Sequence, residues 1–144
     1  MEWLSKLNFH VQQIDIIKGK EPDTGIWFLE APQFSEWLLS PGTTLFCSGI
    51  PGSGKTMIVS IVIDYLLGIQ NHFVGVAYIY CDYKRQKEYD LRALLSALLR
   101  QLIHSRPSIA IPINGLYEKH MQDGTKLTSR DISDALRATL PEYS

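Results

Sequence analysis

Leu45-Phe-Cys-Ser-Gly-Ile-Pro-Gly-Ser-Gly-Lys-Thr56 is the stretch whose reading decides the fold. Its last eight residues, Gly49-Ile50-Pro51-Gly52-Ser53-Gly54-Lys55-Thr56, fit the phosphate-binding pattern G-x-x-x-x-G-K-[ST] at every position. Glycines reach backbone torsions that side chains forbid, so such a loop can wrap closely round phosphates with its N–H groups pointing inward. Lys55 would put a cation at the β- and γ-phosphates, and Thr56 would offer a hydroxyl to Mg²⁺. The backbone amides from Gly52 to Met57, at the start of the next helix, would complete the cradle.

The flanks are read from the loop outward. Thr43 to Cys47 is β-prone and precedes it directly. Lys55 to Gln70 follows, and two signals conflict there: its Ile and Val content favours a strand, its length of 16 residues a helix. A phosphate loop needs a helix behind it, so helix is the expectation. Being apolar nearly all round, that helix should lie buried between a sheet and other elements. Val74 to Cys81 reads as a second strand. The fold class expected is therefore α/β: a parallel-sheet phosphate-loop NTPase core flanked by helices. In this class of phosphate-loop fold the strand bearing the loop neighbours later strands, so these two would not pair, the core would be incomplete, and each strand would expose unpaired backbone groups.

Upstream, Met1 to Lys18 has a mostly helical apolar spacing, and Gly19 to Gly25 reads as a loop. Ile26 to Leu29 is short and apolar, and a helix after Pro32 ends near Ser40. Downstream, Asp82 to Tyr89 is a charged connection, and Asp90 is a candidate N-cap. Leu91, Leu94, Leu95, Leu98, Leu99, Leu102 and Ile103 follow the helical template. Pro107 and Pro112 mark a break, and Ile113 to Gln122 is a weaker helix. A last helix, Thr128 to Thr139, has Thr128 and Asp131 at capping-box spacing and Ile132, Leu136 and Leu140 inward. Two regions result: a helical lead-in with a Trp-rich motif (1–40) and the N-terminal part of the NTPase domain (41–144).

Composition narrows the function classes. The chain has 144 residues, 45% of them apolar and 20% charged, with a net charge of −1. That excludes wholesale disorder, and it provides no global positive field for nucleic acid or anionic lipid. The longest apolar run, Met57 to Ile69, is too short to span a membrane, and Met1 to Lys6 does not resemble a signal peptide. A soluble, cytoplasmic protein is expected. Cys47 and Cys81 each lie in an apolar run and read as reduced core thiols.

Binding alone does not give hydrolysis, which also needs a carboxylate to hold Mg²⁺ and a group to orient water. Asp82, at the end of Ala77-Tyr-Ile-Tyr-Cys-Asp82, is the one candidate, and no second acid follows it. The competing reading makes Asp82 a capping residue. Whether the chain is an enzyme stays open. The guanine-reading N-K-x-D pattern is absent, which favours ATP over GTP.

Several stretches together resemble the NACHT-type signal-transduction (STAND) NTPases of filamentous fungi, and more closely the nephrocystin-3-like N-terminal domain found in them. They are Leu4-Ser-Lys-Leu-Asn-Phe-His-Val-Gln-Gln13, Thr24-Gly-Ile-Trp-Phe-Leu-Glu-Ala-Pro-Gln-Phe-Ser-Glu-Trp37 and the loop stretch already quoted. Tyr78-Ile-Tyr-Cys-Asp82 and Leu98-Leu-Arg-Gln-Leu102 also fit. The Trp27 to Trp37 run discriminates, because the phosphate loop is common to many families. The resemblance implies an ATP- and Mg²⁺-binding switch module that assembles with its own kind or with a full-length relative. It implies metal-holding acids on a strand beyond the last helix, hence a chain truncated at Ser144, with weak hydrolysis and Asp82 not catalytic. The rival readings are an active hydrolase or kinase using Asp82, and a non-binding fragment that interferes with a full-length relative.

Other candidates carry two readings each. Trp3, Trp27 and Trp37 either pack on the domain flank or, for the Thr24–Phe28 segment, cover the nucleotide base. Lys84, Arg85 and Lys87 form a basic run that reads as a solvated loop rather than a nucleic-acid contact. Arg92, Arg100, Arg106, Arg130 and Arg137 are each possible arginine fingers. His10, His72, His104 and His120 are too scattered for a metal site. The Leu91–Ile103 stripe is core, or else a surface for a partner helix.

Overall fold

Helices carry the regular structure of the computed structural model, which describes residues 4–143. They are α1 (Phe9–Lys18), α2 (Ile26–Leu29), α3 (Pro32–Leu39), α4 (Lys55–Ile69), α5 (Leu91–Ser105), α6 (Ala110–Asp123) and α7 (Ser129–Thr139). Short 3₁₀ turns lie at Tyr83–Glu88, Pro107–Ile109 and Leu140–Tyr143. Among the described residues there is no strand, and the one β-bridge joins Asn71 to Val74. The expected α/β class is therefore corrected: this is an all-helical structure, not a parallel-sheet phosphate-loop NTPase core.

Side-chain satisfaction explains part of that correction. A β-prone run becomes a strand only when a neighbouring backbone pairs with it. Within Val74–Cys81, the Gln101 side chain of α5 takes that place. Tyr78 N donates to Gln101 Oε1 at 3.0 Å, and Gln101 Nε2 donates to Tyr78 O at 2.9 Å. At Thr43–Cys47 no ladder forms, and Phe46 is 85% exposed.

The chain divides into two compact units. One is His10–Gly68. Here the conflict over Lys55–Gln70 resolves as helix α4, yet Val59 and Tyr65 are exposed rather than buried under a sheet. Its buried side carries Ser60, Ile61 and Ile63. Gln13 Nε2 of α1 donates to Ser60 O at 2.8 Å, giving a buried carbonyl a partner. Pro32 opens α3, where its missing N–H costs nothing.

The other unit joins the stretch up to Phe9 with the chain from Ile69 onward. Its core is Leu4, Leu99, Ile103, Ile109, Ile113, Leu127 and Ile132. The Leu91–Ile103 stripe is core from Leu99 on, while Leu91 is exposed. Asp90 caps α5 by accepting from Ala93 N at 2.6 Å. Thr128 and Asp131 form the reciprocal capping box of α7. Ile132 is buried as expected, but Leu140 is 58% exposed. Pro112 does not break the chain, because it falls in the first turn of α6, where backbone N–H groups need no intrahelical partner. Helix α1 starts at Phe9 rather than at the chain's beginning, and Trp3 and Ser144 lie outside the described residues.

Candidate functional site

The loop Gly49–Thr56 runs into the N-terminus of α4, and Lys55 is that helix's first residue. Gly52 and Gly54 have φ of +81° and +87°, the left-handed region that side chains disfavour. Ser53 N donates to Ile50 O at 3.2 Å and closes a turn inside the loop. The Lys55 ammonium lies over the loop's own carbonyls, donating to Gly49 O and, at 2.8 Å, to Ile50 O. Ser53 Oγ lies 3.5 Å from the same nitrogen. Ile50, Pro51, Gly52, Ser53, Gly54 and Thr56 are exposed, and Met57 is half-buried. The Met57 carbonyl accepts from Ser60 Oγ at 2.7 Å.

A chain of aromatic rings stands beside the loop in the same unit. Trp27 meets Phe28 edge-on, with centroids 5.7 Å apart. Phe28 lies 5.8 Å from Phe34, which in turn contacts Trp37 at 5.7 Å and Tyr65 of α4 at 5.8 Å. A cavity of about 540 Å³ is lined by Trp27, Phe28, Phe34 and Trp37 together with Gly49, Ser53 and Lys55. The sequence left Thr24–Phe28 either packed on the domain flank or covering a base, and did not include Phe34 in a lining. Its signal was the i, i+3 spacing of Phe34 and Trp37, which puts both rings on one face of α3. Cys47 also lines the cavity; both Cys47 and Cys81 are exposed, correcting their reading as core thiols.

Several of the remaining candidates have structural occupations. Asp82 caps the Tyr83–Glu88 turn, accepting from Lys84 N at 2.9 Å, and it belongs to the other unit. Arg85 pairs with Glu88 through two nitrogens, at 3.1 and 2.6 Å, and this hydrogen-bonded pairing holds the Glu88 carboxyl below its usual range. Arg92 Nε donates to Leu127 O, Arg100 Nη1 to Ser5 O and Arg106 Nη1 to His72 O. Three of the five candidate finger arginines thus tether backbone.

Among the described residues no group of three His, Cys, Asp or Glu could hold a metal. Mg²⁺ takes few protein oxygens and keeps several waters; the hydroxyl of Thr56, an exposed residue in the first turn of α4, could supply one such oxygen. Among the described residues no helix is long and apolar enough to cross a membrane.

Comparison with known proteins gives one family. The family model described as Nephrocystin 3, N-terminal matches residues 23–143. No curated protein and no solved structure matches. The matched residues begin just before the Thr24–Trp37 run, pass through the loop and take in α5 to α7. With most of its length so matched, the chain belongs to the Nephrocystin 3, N-terminal family.

Proposed function

We propose that Gly49–Thr56 holds the polyphosphate of a nucleotide, ATP first among them, as the switch module of a NACHT/STAND-type signalling protein. One observation carries the reading. A lysine ammonium rests on two carbonyls of a glycine-rich loop at the head of a 15-residue helix. Those carbonyls stand in for phosphate oxygens, which would compete for the same N–H donors with a full negative charge. Lys55 would exchange them for the β- and γ-phosphates. The amides from Gly52 to Met57 would donate to the remaining oxygens, reinforced by the helix N-terminus. Thr56 would hold Mg²⁺, whose chemistry here is to neutralise charge between neighbouring phosphates.

The reading is binding with little turnover. Asp82, the candidate acid, has an oxygen engaged by Lys84 N, so it fits a cap better than a metal-holding carboxylate. Nucleotide-dependent assembly with a second copy or a full-length relative follows from the switch reading. The test is titration of the full chain with a fluorescent ATP analogue and Mg²⁺. Binding should vanish in Lys55→Ala while the melting curve stays close to the parent's. Parent-like binding by Lys55→Ala would overturn the proposal. Phosphate release that collapses in Asp82→Asn would favour the hydrolase reading instead.

A further inference from the structure

We propose that the cavity beside the loop takes the nucleobase by stacking on Trp27, and that it reads purine ring area rather than the base's hydrogen-bonding edge. The inference rests on the phosphate-loop reading and extends it to the other end of the ligand. The loop and the aromatic cluster open on one space of about 540 Å³. A molecule with an anionic end and a flat apolar end matches both halves of that lining. Lys55 and Ser53 stand at the loop half; Phe28, Phe34 and Trp37 form the other. Phe34 is buried and wedged against Tyr65, which fixes the cavity wall. Trp27 is 68% exposed, unusual for so large an apolar ring, and its contact with Phe28 is edge-on.

An aromatic lining offers stacking to any base and few partners to a base edge. A polar edge buried against it would lose its water without compensation. The edge should therefore face the cavity mouth and stay hydrated. Adenine and guanine are then equivalent, and the smaller pyrimidines stack less. The expectation shifts from ATP alone to purine nucleotides in general.

Calorimetric titration of the full chain in Mg²⁺ tests this, with inorganic tripolyphosphate, ATP, GTP, CTP and UTP as probes. ATP and GTP should agree within about threefold and bind about tenfold or more tighter than tripolyphosphate, the scale of one stacked base. Trp27→Ala should bring ATP to the tripolyphosphate level, and Trp27→Phe should keep most of the advantage. Neither should change tripolyphosphate binding. Cys47 supplies a second readout, since it lines the same cavity: ATP should slow its alkylation more than tripolyphosphate does. If ATP binds no tighter than tripolyphosphate, or protects Cys47 no better, the base lies elsewhere and only the loop reading survives. ATP tightly bound with GTP far weaker would overturn the indifference to base edge. If neither probe binds, the loop reading falls and this proposal falls with it.

Discussion

The guanidinium of Arg100 donates to the backbone carbonyl of Ser5 at 2.9 Å, across 95 positions of sequence. Ser5 is buried, so without this partner its carbonyl would be left desolvated and unpaired. Arg100→Ala should lower stability by about 1.5–3 kcal/mol, the range for hydrogen bonds to charged groups. Urea unfolding of the two proteins checks this. An unchanged midpoint would mean water replaces the guanidinium.

Two apolar residues of the last helical stretch should behave oppositely. Ile132 is 1% exposed within the core cluster, whereas Leu140 is largely exposed. Ile132→Ala should cost about 2–5 kcal/mol through lost burial and a residual cavity. Leu140→Ala should stay within about 0.5 kcal/mol of the parent. Equal effects would contradict the packing described for α7.

The cap of α7 makes stability depend on pH. Asp131 accepts from the Thr128 backbone N–H at 2.8 Å and from its hydroxyl at 2.9 Å. Those bonds, the backbone one first, hold its carboxyl below the ordinary 3.8. A group depressed in the folded state contributes stability above its unfolded value and loses it as pH falls through the folded one. Melts in acid should show that loss in the parent and a flatter profile in Asp131→Asn. Thr128→Ala should cost about 1 kcal/mol at neutral pH.

Tyr80 supplies the alkaline counterpart. Burial first, and then the nearby Tyr78 charge, pushes its hydroxyl up to about 12. With the folded value raised, its contribution is fully present below 10.0 and lost as pH climbs toward 12. Burial also raises the Tyr78 hydroxyl, so ultraviolet titration should show late tyrosine absorbance whose latest part is lost in Tyr80→Phe.

Gly25 tests the Trp-rich segment. Its φ is +80°, and a Cβ there would sit 2.6 Å from Ile61 Cδ1 of α4. Gly25→Ala should cost about 1–3 kcal/mol and displace Trp27, two residues on. Differential scanning calorimetry reads the first effect, and a change in Trp fluorescence the second.

How far these features were legible in the sequence depended on the range of the interaction. Asp90 and the Thr128–Asp131 pair were readable because capping is settled within one helical turn. The glycine-rich pattern was readable for the same reason, and α4 because that pattern calls for a helix behind it, which settled the conflict between its length and its β-branched content. The sheet was misread because a strand is a property of two backbones. Nothing local to Tyr78 announces that a glutamine 23 residues later will pair with both its backbone N–H and its C=O. Gly25 was visible as part of the Thr24–Trp37 run, but its reason, the approach of Ile61, was not. The cavity escaped in the same way, since Phe34 faces the loop only once α3 and α4 have packed.

The division of the chain into units sets an order of events on the ribosome. Residues 10–68 form one unbroken segment and leave the exit tunnel before the other unit has been fully made. Leu4 and Phe9 belong with residues that have not yet been made. At about 5–20 residues per second, Ser5 waits on the order of ten seconds for Arg100. The nascent chain thus carries residues 10–68 as one unit while Leu4 and Phe9 remain uncovered. For that interval Leu4 and Phe9 are the natural hold for a chaperone.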